Sequence, residues 1–352
     1  MSTFEAPVVA YRSVPHPNAD ALELALINDW RAAVRIGVFA EGQPVAYIPE
    51  GALCPQDLVE ELGLADPPRL AGPDHNRVKA VRLRGVLSQG LVYGGPRIAG
   101  LEIGDNAADA LGLVKWVPEI PVHMAGLMAP GPQITYDIDN IKSWPDRFLP
   151  GEEVAVTEKL HGTFCCMGRL AGGEYVVSSK GHLSAGRVFD LAAAENIDNL
   201  YVKMMRHYTD FGSISMAQDH VAGADIFLFG EIIGPKVQDL NYDQPEPAFM
   251  LFDIRTPRGY MPYDSMLSIA DHVGLPVVPE LFRGRWNPTL VDQFTSGRSR
   301  IAPHHREGVV IRPLIDRYDS GVDHESGRGP GRVMFKSVSE KHLLRKGGTE
   351  YN

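Results

Sequence analysis

The chain has 352 residues, 44% of them hydrophobic and 22% charged, with a formal net charge of −10. That length favours two domains over one, and the composition is that of a chain able to bury a sizeable core. The acidic balance argues against a protein that coats nucleic acid non-specifically, because phosphate binding is driven by counterion release at basic surfaces; a local basic face remains open.

No apolar run approaches the length that crosses a bilayer, and the opening MSTFEAPVVAYRS lacks the basic start and apolar run of a secretory signal. Cys54, Cys165 and Cys166 show no metal-ligand spacing. The expectation is a reduced, cytoplasmic, disulfide-free protein with no membrane association. No obligate protein partner is evident.

The first part of the chain, to about residue 120, reads as all-β, with short apolar runs separated by Gly, Pro and Asn turns. LELALI, RAAVRIGVFA, QPVAYIP, VKAVRLRGV and GLVYGG are the strand candidates, and PQDLVEELGLA is one short helix. That count is the count of a small OB-type Greek-key barrel. HPNADALELALI, from His16, and VRLRGVLSQGLVYG, from Val81, resemble the corresponding stretches of OB-type domains attached to some tRNA-binding proteins. Arg77, Lys79, Arg82 and Arg84 fall in one run, NRVKAVRLRG, whose alternation predicts a strand with its basic side chains on one face. Such a face either meets water or contacts phosphate.

HMAGLMAPGPQITYDIDNIKSWPDRF, rich in Pro, Gly and Met, reads as a linker into a second domain. The boundary falls near residue 125, dividing a 1–125 OB-like nucleic-acid-binding domain from a 126–352 domain. Beyond Leu149, β-rich runs alternate with a few helices. DLAAAENIDNLYVKMMRHYTDFG, from Asp190, is the clearest helical stretch, and SMLSIADHVG is a shorter one.

VAVTEKLHGTFCCMGRL carries the chemistry. A β-branched run, Val154 to Thr157, delivers Glu158 and Lys159 to a tight turn through Leu160, His161 and Gly162. A lysine at a strand end beside a glycine turn can be presented to a ligand with the backbone close by. It becomes a nucleophile only when its amine loses its proton, through desolvation or nearby positive charge. Alone, this spacing also describes a solvated turn lysine. Downstream, in order, come YVVSSKGHL with Lys180, DIFLFGEIIG with Glu231, AFMLFDIR with Phe252 and Asp253, HHREGVVIRP with Glu307 and Arg312, and RVMFKSVS with Lys336. Each could be a strand whose charged end meets water. Their joint order is harder to explain that way.

That order resembles the covalent nucleotidyltransferases, the superfamily of DNA ligases, RNA ligases and mRNA capping enzymes. TEKLHGT resembles motif I, SSKG motif Ia, FGEIIG motif III, LFDI motif IIIa, EGVVIRP motif IV and MFKS motif V, all within roughly the last 200 residues. Motif order and the N-terminal barrel look closest to the Deinococcus-type bacterial RNA ligases. The resemblance implies an α+β fold: an OB-like β-barrel followed by an ATP-grasp-like nucleotidyltransferase (adenylylation) domain of antiparallel sheets with flanking helices. His161 stands where DNA ligases and capping enzymes usually carry aspartate, and so resembles the RNA ligases of the phage and kinetoplastid-editing branch. Motif V departs from many relatives, since Met334 takes the place of a first lysine and only Lys336 remains. Arg332 compensates only if the strand is regular. The chain ends soon after motif V, which argues against the usual DNA ligase architecture.

By the same resemblance, Lys159 attacks the α-phosphorus of ATP and becomes lysyl-AMP, AMP passes to an RNA 5′-phosphate, and a 3′-hydroxyl displaces it. Charge gathering on nonbridging oxygens calls for Mg²⁺ or Mn²⁺ and fixed lysines. Glu231 and Glu307 are the expected metal ligands, or contacts to ribose and adenosine, with Glu307 the better metal candidate. Phe252 is placed to stack on adenine, Glu158 to read its amino group, and Lys180 and Lys336 to hold phosphates; Gly162 lets the backbone approach the nucleotide. His161 is assigned to AMP transfer. The expected partner is RNA, or an RNA-containing duplex with a break, gripped by the Arg77–Arg84 strand. The alternatives are an ATP-dependent DNA ligase, a non-catalytic OB-fold RNA-binding protein, and a capping-type guanylyltransferase.

Overall fold

Short antiparallel strands dominate the chain, as its alternating apolar runs require. The computed structural model describes residues 4–208, 223–319 and 331–349. They divide into two compact units, Ser2–Val117 with Lys142–Pro145, and Pro118–Ile141 with Asp146–Asn352.

In the smaller unit, Pro44–Ile48 lies between Val8–Ala10 and Leu91–Tyr93, and Leu22–Ile27 lies between Ser13–Pro15 and Trp30–Arg35. The register Ile27↔Trp30 leaves Asn28 and Asp29 as a two-residue turn, and Asn28 adopts φ 51°. Asn tolerates that left-handed geometry better than most residues, and a tight turn of this kind matches strand twist. Val8, Ala46, Ile48, Leu58, Val59 and Leu111 form the central core, with the Gln56–Glu61 helix closing it through Leu58 and Val59.

The run from Arg77 to Arg84 is not one strand. Only Val81–Leu83 is extended, paired with Val86–Ser88. Arg84, at φ 46°, and Gly85, at φ 86°, form the turn between them. Arg77 stands apart, its guanidinium 3.9 Å from the Trp116 ring centroid. The expected single basic strand face is therefore broken, although Lys79, Arg82 and Arg84 are all exposed. The physical reason lies at both ends: Arg77 and the buried Val78 bond to the backbone of Ala71, Gly51 and Ala52 rather than continuing the Val81–Leu83 strand, and the Arg84-Gly85 pair turns the chain where alternation alone would continue it. His16 and Asn18 receive this turn, His16 Nε2 lying 3.2 Å from the Leu83 carbonyl and Asn18 Nδ2 donating to that of Arg84.

The larger unit holds two five-stranded sheets. One runs Asp139–Asn140, Phe335–Val338, Gly308–Pro313, Glu153–Lys159, Glu280–Arg285, antiparallel except for its first pair. The other runs Tyr175–Ser179, Thr163–Arg169, Ile226–Ile233, Ala248–Thr256, Gly259–Tyr260, antiparallel throughout. The Ile226–Ile233 strand is buried along almost its whole length, which explains its continuous apolar run. Helix Leu200–His207 packs Leu200, Tyr201, Val202 and Met205 into the core, and helix Tyr263–Val273 adds Tyr263, Met266 and Ile269.

Two expectations change here. The stretch from Asp190 is not one helix: a single 3-10 turn, Ala194–Asn196, precedes Leu200–His207, and residues 209–212 lie outside those described. Asn199 starts the helix by accepting hydrogen bonds from the Tyr201 and Val202 N–H groups. Most of the stretch read as a linker is built into the larger unit, with Lys142–Pro145 in the smaller one. Met128–Pro130 pairs with Arg187–Phe189, and Asp139–Asn140 pairs with Phe335–Val338. Cys54, Cys165 and Cys166 are buried free thiols. Among the described residues no helix is long and apolar enough to cross a membrane.

Candidate active site

Sheet register assembles the site. Lys159, last residue of its strand, faces Gly308, while Val310 on that neighbouring strand faces Lys336. Glu307, immediately before Gly308, is thus delivered beside the lysine, with Nζ 2.8 Å from Oε1. The turn after Lys159 crosses to the second sheet, where Phe164 faces Glu231. Gly162 N–H donates to Glu231 Oε1 at 3.1 Å. A Cβ on Gly162 would lie 2.1 Å from the Ile232 carbonyl oxygen, so this crossing requires glycine.

A cavity of about 220 Å³ opens between the sheets. Its charged lining comes from Glu158, Lys159, Lys180, Glu231, Arg312 and Lys336, and its aromatic lining from Tyr136, Phe164, Phe252 and Tyr263. Tyr136 lies 5.6 Å from Phe164 and 5.4 Å from Phe252 between ring centroids. Glu158 is 1% exposed. Its Oε2 accepts the Arg300 N–H at 2.8 Å, whereas its Oε1 accepts no hydrogen bond from the described residues. A buried acceptor left unsatisfied is costly, and one on a cavity wall is poised for a ligand donor. Lys180 opens a short helix and pairs with Asp137 at 2.5 Å.

The charges act on one another. Loss of water around the Lys159 amine lowers its pKa, but the carboxylates of Glu307 and Glu231 outweigh this and leave it raised. Desolvation pushes Glu231 up to about 7, with Lys159 opposing. Burial would raise Glu307 too, yet Lys159, His161 and His342 hold it down at about 2. Desolvation, with Lys180 and Lys159 nearby, lowers Lys336 to about 8. The site therefore holds one firmly ionised carboxylate against its lysine, one carboxyl that titrates near neutrality, and an amine that sheds its proton with modest encouragement.

Behind the aromatic lining lies a buried ion network. Asp253, fully buried, takes the Tyr136 hydroxyl at 2.9 Å and pairs with Arg332 and Arg312, which both reach Asp316. Arg332 is committed there and does not replace a motif V lysine; Met334 lines the cavity in that position.

A family model for RNA ligase matches residues 152–338, and an OB-fold domain model matches residues 8–94. The chain belongs to the RNA ligase family. Solved structures of Naegleria gruberi RNA ligase share its architecture. One variant with ATP and Mn has a TM-score of 0.79 at 20% identity, covering 97% of this chain and 98% of that one. A variant with AMP and Mn has the same TM-score, identity and coverage, and the ligase with PPi has a TM-score of 0.78 at 21% identity, covering 97% and 98%. At that identity the likeness is one of fold. No match is found among curated proteins.

Within this family member, the sequence-derived candidates fall into three places. Glu158, Lys159, Lys180, Glu231, Phe252 and Lys336 line the cavity, with Gly162 bound to Glu231. Glu307 and His161 lie behind Lys159, with His161 Nδ1 3.8 Å from Glu307 Oε2. His161 is 7% exposed, and its Nε2 meets Asp239 Oδ1 at 2.9 Å. Arg77, Lys79, Arg82 and Arg84 belong to the other unit. Sequence reasoning missed Tyr136, Asp137 and Ile138. Their ITYDID alternation was the available signal, hidden by flanking Pro and Gly.

Proposed function

We propose that this family member is an ATP-dependent RNA ligase that joins 3′-hydroxyl and 5′-phosphate RNA ends, at nicks in duplexes, through lysyl-AMP and adenylylated-RNA intermediates. The observation that carries the proposal is the Lys159 amine at the cavity wall, 2.8 Å from Glu307 and beside Glu231. ATP and Mn in the Naegleria ligase structures support the same nucleotide and a divalent ion here. The residues present fit both. Glu158 Oε1 and Glu307 Oε2 are buried oxygens that accept no hydrogen bond from the described residues.

Adenine stacks on Phe252 within the aromatic lining, and its exocyclic amine donates to Glu158 Oε1. Lys180 and Lys336 hold phosphate oxygens. Once deprotonated, the Lys159 nitrogen bonds to the α-phosphorus as the bond to pyrophosphate breaks, giving a phosphoramidate. Glu231 and Glu307 would hold Mg²⁺ or Mn²⁺, which supplies charge stabilisation on the α-phosphate. AMP then passes to an RNA 5′-phosphate, with His161 assisting, and a 3′-hydroxyl displaces it. The Lys79, Arg82 and Arg84 surface binds the RNA backbone.

Incubation with α-labelled ATP and Mg²⁺ or Mn²⁺, followed by denaturing electrophoresis, tests the first step. A labelled band absent from Lys159→Ala is expected. An unlabelled wild-type chain, or label persisting in the variant, overturns the assignment. Defined nicks with ribose or deoxyribose on each side then test the substrate.

A further inference from the structure

His161, Glu307 and His342 each place one ligand atom within 4.8 Å of the others. We infer that these three side chains bind a first-row transition-metal ion directly, and that the ion fastens the C-terminal segment to the turn following Lys159. This goes beyond a magnesium or manganese ion accompanying ATP: the ion is held by two imidazoles in the nucleotide-free protein, and because it uses Glu307 and His161 it leaves before those groups serve the nucleotide.

Three independent features converge. Glu307 Oε2 is buried and accepts no hydrogen bond from the described residues. His161 Nδ1 lies 3.8 Å from that oxygen, and His342 Nε2 lies 3.8 Å from Oε1 of the same carboxylate. The two imidazoles meet edge to face with centroids 4.7 Å apart, one beside each oxygen of the Glu307 carboxylate. A tetrahedral site with metal–nitrogen bonds of about 2.0–2.1 Å has ligand atoms roughly 3.4 Å apart. The two 3.8 Å separations run to different oxygens of the Glu307 carboxylate, and the three ligand atoms lie within 4.8 Å of one another, so binding requires side-chain adjustment of up to about 1.4 Å along an edge.

The tautomer follows from the outer contacts. Asp239 Oδ1 and the Thr349 carbonyl both meet His161 Nε2, at 2.9 and 3.1 Å, which places the proton on that nitrogen. Arg345 also lies 3.0 Å from Nε2, but it is anchored on Asp239 and the Thr349 carbonyl as well. Nδ1 is left with its lone pair toward Glu307. A carboxylate behind a histidine is the usual outer support of a metal-bound imidazole. The His342 imidazole makes no hydrogen bond among the described residues, although its side chain is only 9% exposed.

The donor set selects the ion. Imidazole nitrogens with one carboxylate suit Zn²⁺, Co²⁺ or Ni²⁺, whereas Mg²⁺ prefers all-oxygen ligation. The placement selects the consequence. His342 sits on the short helix Glu340–Leu343, and Thr349 beyond it already bonds Gln238 and Asp239. A shared ion adds a third tie between this segment and His161.

The test uses the full-length, tag-free chain without nucleotide. Titration with Co²⁺ is expected to give visible ligand-field bands that saturate at one ion per chain and disappear on adding Zn²⁺. Zn²⁺ is expected to raise the Tm, as any ligand of the folded state does. His342→Ala and His161→Asn should each weaken Co²⁺ binding at least about tenfold, and Lys159→Ala should retain it. Absence of the bands in the wild-type chain overturns the proposal without recourse to any variant, as does an unchanged spectrum in His342→Ala. Lysyl-AMP formation in Mg²⁺ is measured separately. Intact Co²⁺ bands without adenylylation sink the ligase reading alone, and adenylylation without the bands sinks only the metal site.

Discussion

An amine facing two carboxylates is an ammonium until something removes its proton, and Lys159 is in that position. Glu307 and Glu231 more than offset the lowering effect of desolvation. Under single-turnover conditions, lysyl-AMP formation should therefore accelerate as pH rises through neutrality. Glu307→Gln should move that rise to lower pH while reducing the maximal rate, because removing a negative charge lowers the lysine pKa. The same residue links stability to pH. Glu307 is held at about 2, below its ordinary 4.5, so its charged form stabilises the fold above pH 4.5. Urea unfolding should show the wild-type advantage over Glu307→Gln shrinking as pH falls from about 4.5 toward 2. An advantage that persists at acid pH would contradict this. Lys159, Glu231, Glu307 and Lys336 stand out as candidates in the sequence because each lies at or near the end of an apolar run, Lys159 three residues before Gly162 and the others beside Gly230, Gly308 and Ser337. His342 and Asp239 do not, since a helix-borne histidine and a loop aspartate carry no pattern of their own.

At the scale of elements, the site depends on how closely neighbouring strands and loops approach. A Cβ on Gly308 would stand 2.0 Å from the Ser337 carbonyl oxygen, between the strands that carry Glu307 and Lys336. Gly308→Ala should cost about 1–3 kcal/mol in denaturant unfolding and depress adenylylation together with it. Asp253 joins the Ala248–Thr256 strand to Arg312 and Arg332 in a buried network. Asp253→Ala leaves two guanidinium groups short of a partner and should destabilise by about 3–5 kcal/mol. A change below about 1 kcal/mol would show that water replaces the carboxylate. Strand identities followed from alternation, while the long helix expected from Asp190 did not form. Asn199 offers its side chain to the Tyr201 and Val202 N–H groups, and this local cap starts a separate helix.

For the whole molecule, an acidic chain that acts on RNA needs local basic surface, and the proposal places it at Lys79, Arg82 and Arg84, which are exposed on the OB-fold unit. The double variant Arg82→Ala/Arg84→Ala should weaken RNA binding and flatten its dependence on salt, by about 0.9 in log–log slope for each phosphate no longer neutralised. Lysyl-AMP formation needs no RNA and should proceed in the same variant. An unchanged salt slope would remove this surface from the RNA path.

The sequence by itself determined what short-range rules decide: most of the runs that are extended, the Asn turn at Asn28-Asp29, and the order in which the charged strand ends follow one another, though not the turn at Arg84-Gly85, which alternation reads through. Those features depend on a few adjacent residues, their backbone preferences and the two-residue period of a strand. Only the tertiary structure decided that Lys159 meets Glu307, that Tyr136 leaves an apparent linker to line the cavity, and that Arg332 serves Asp253 rather than a phosphate. These depend on strand order and register between segments remote in sequence, which burial of the whole core selects and no local pattern specifies.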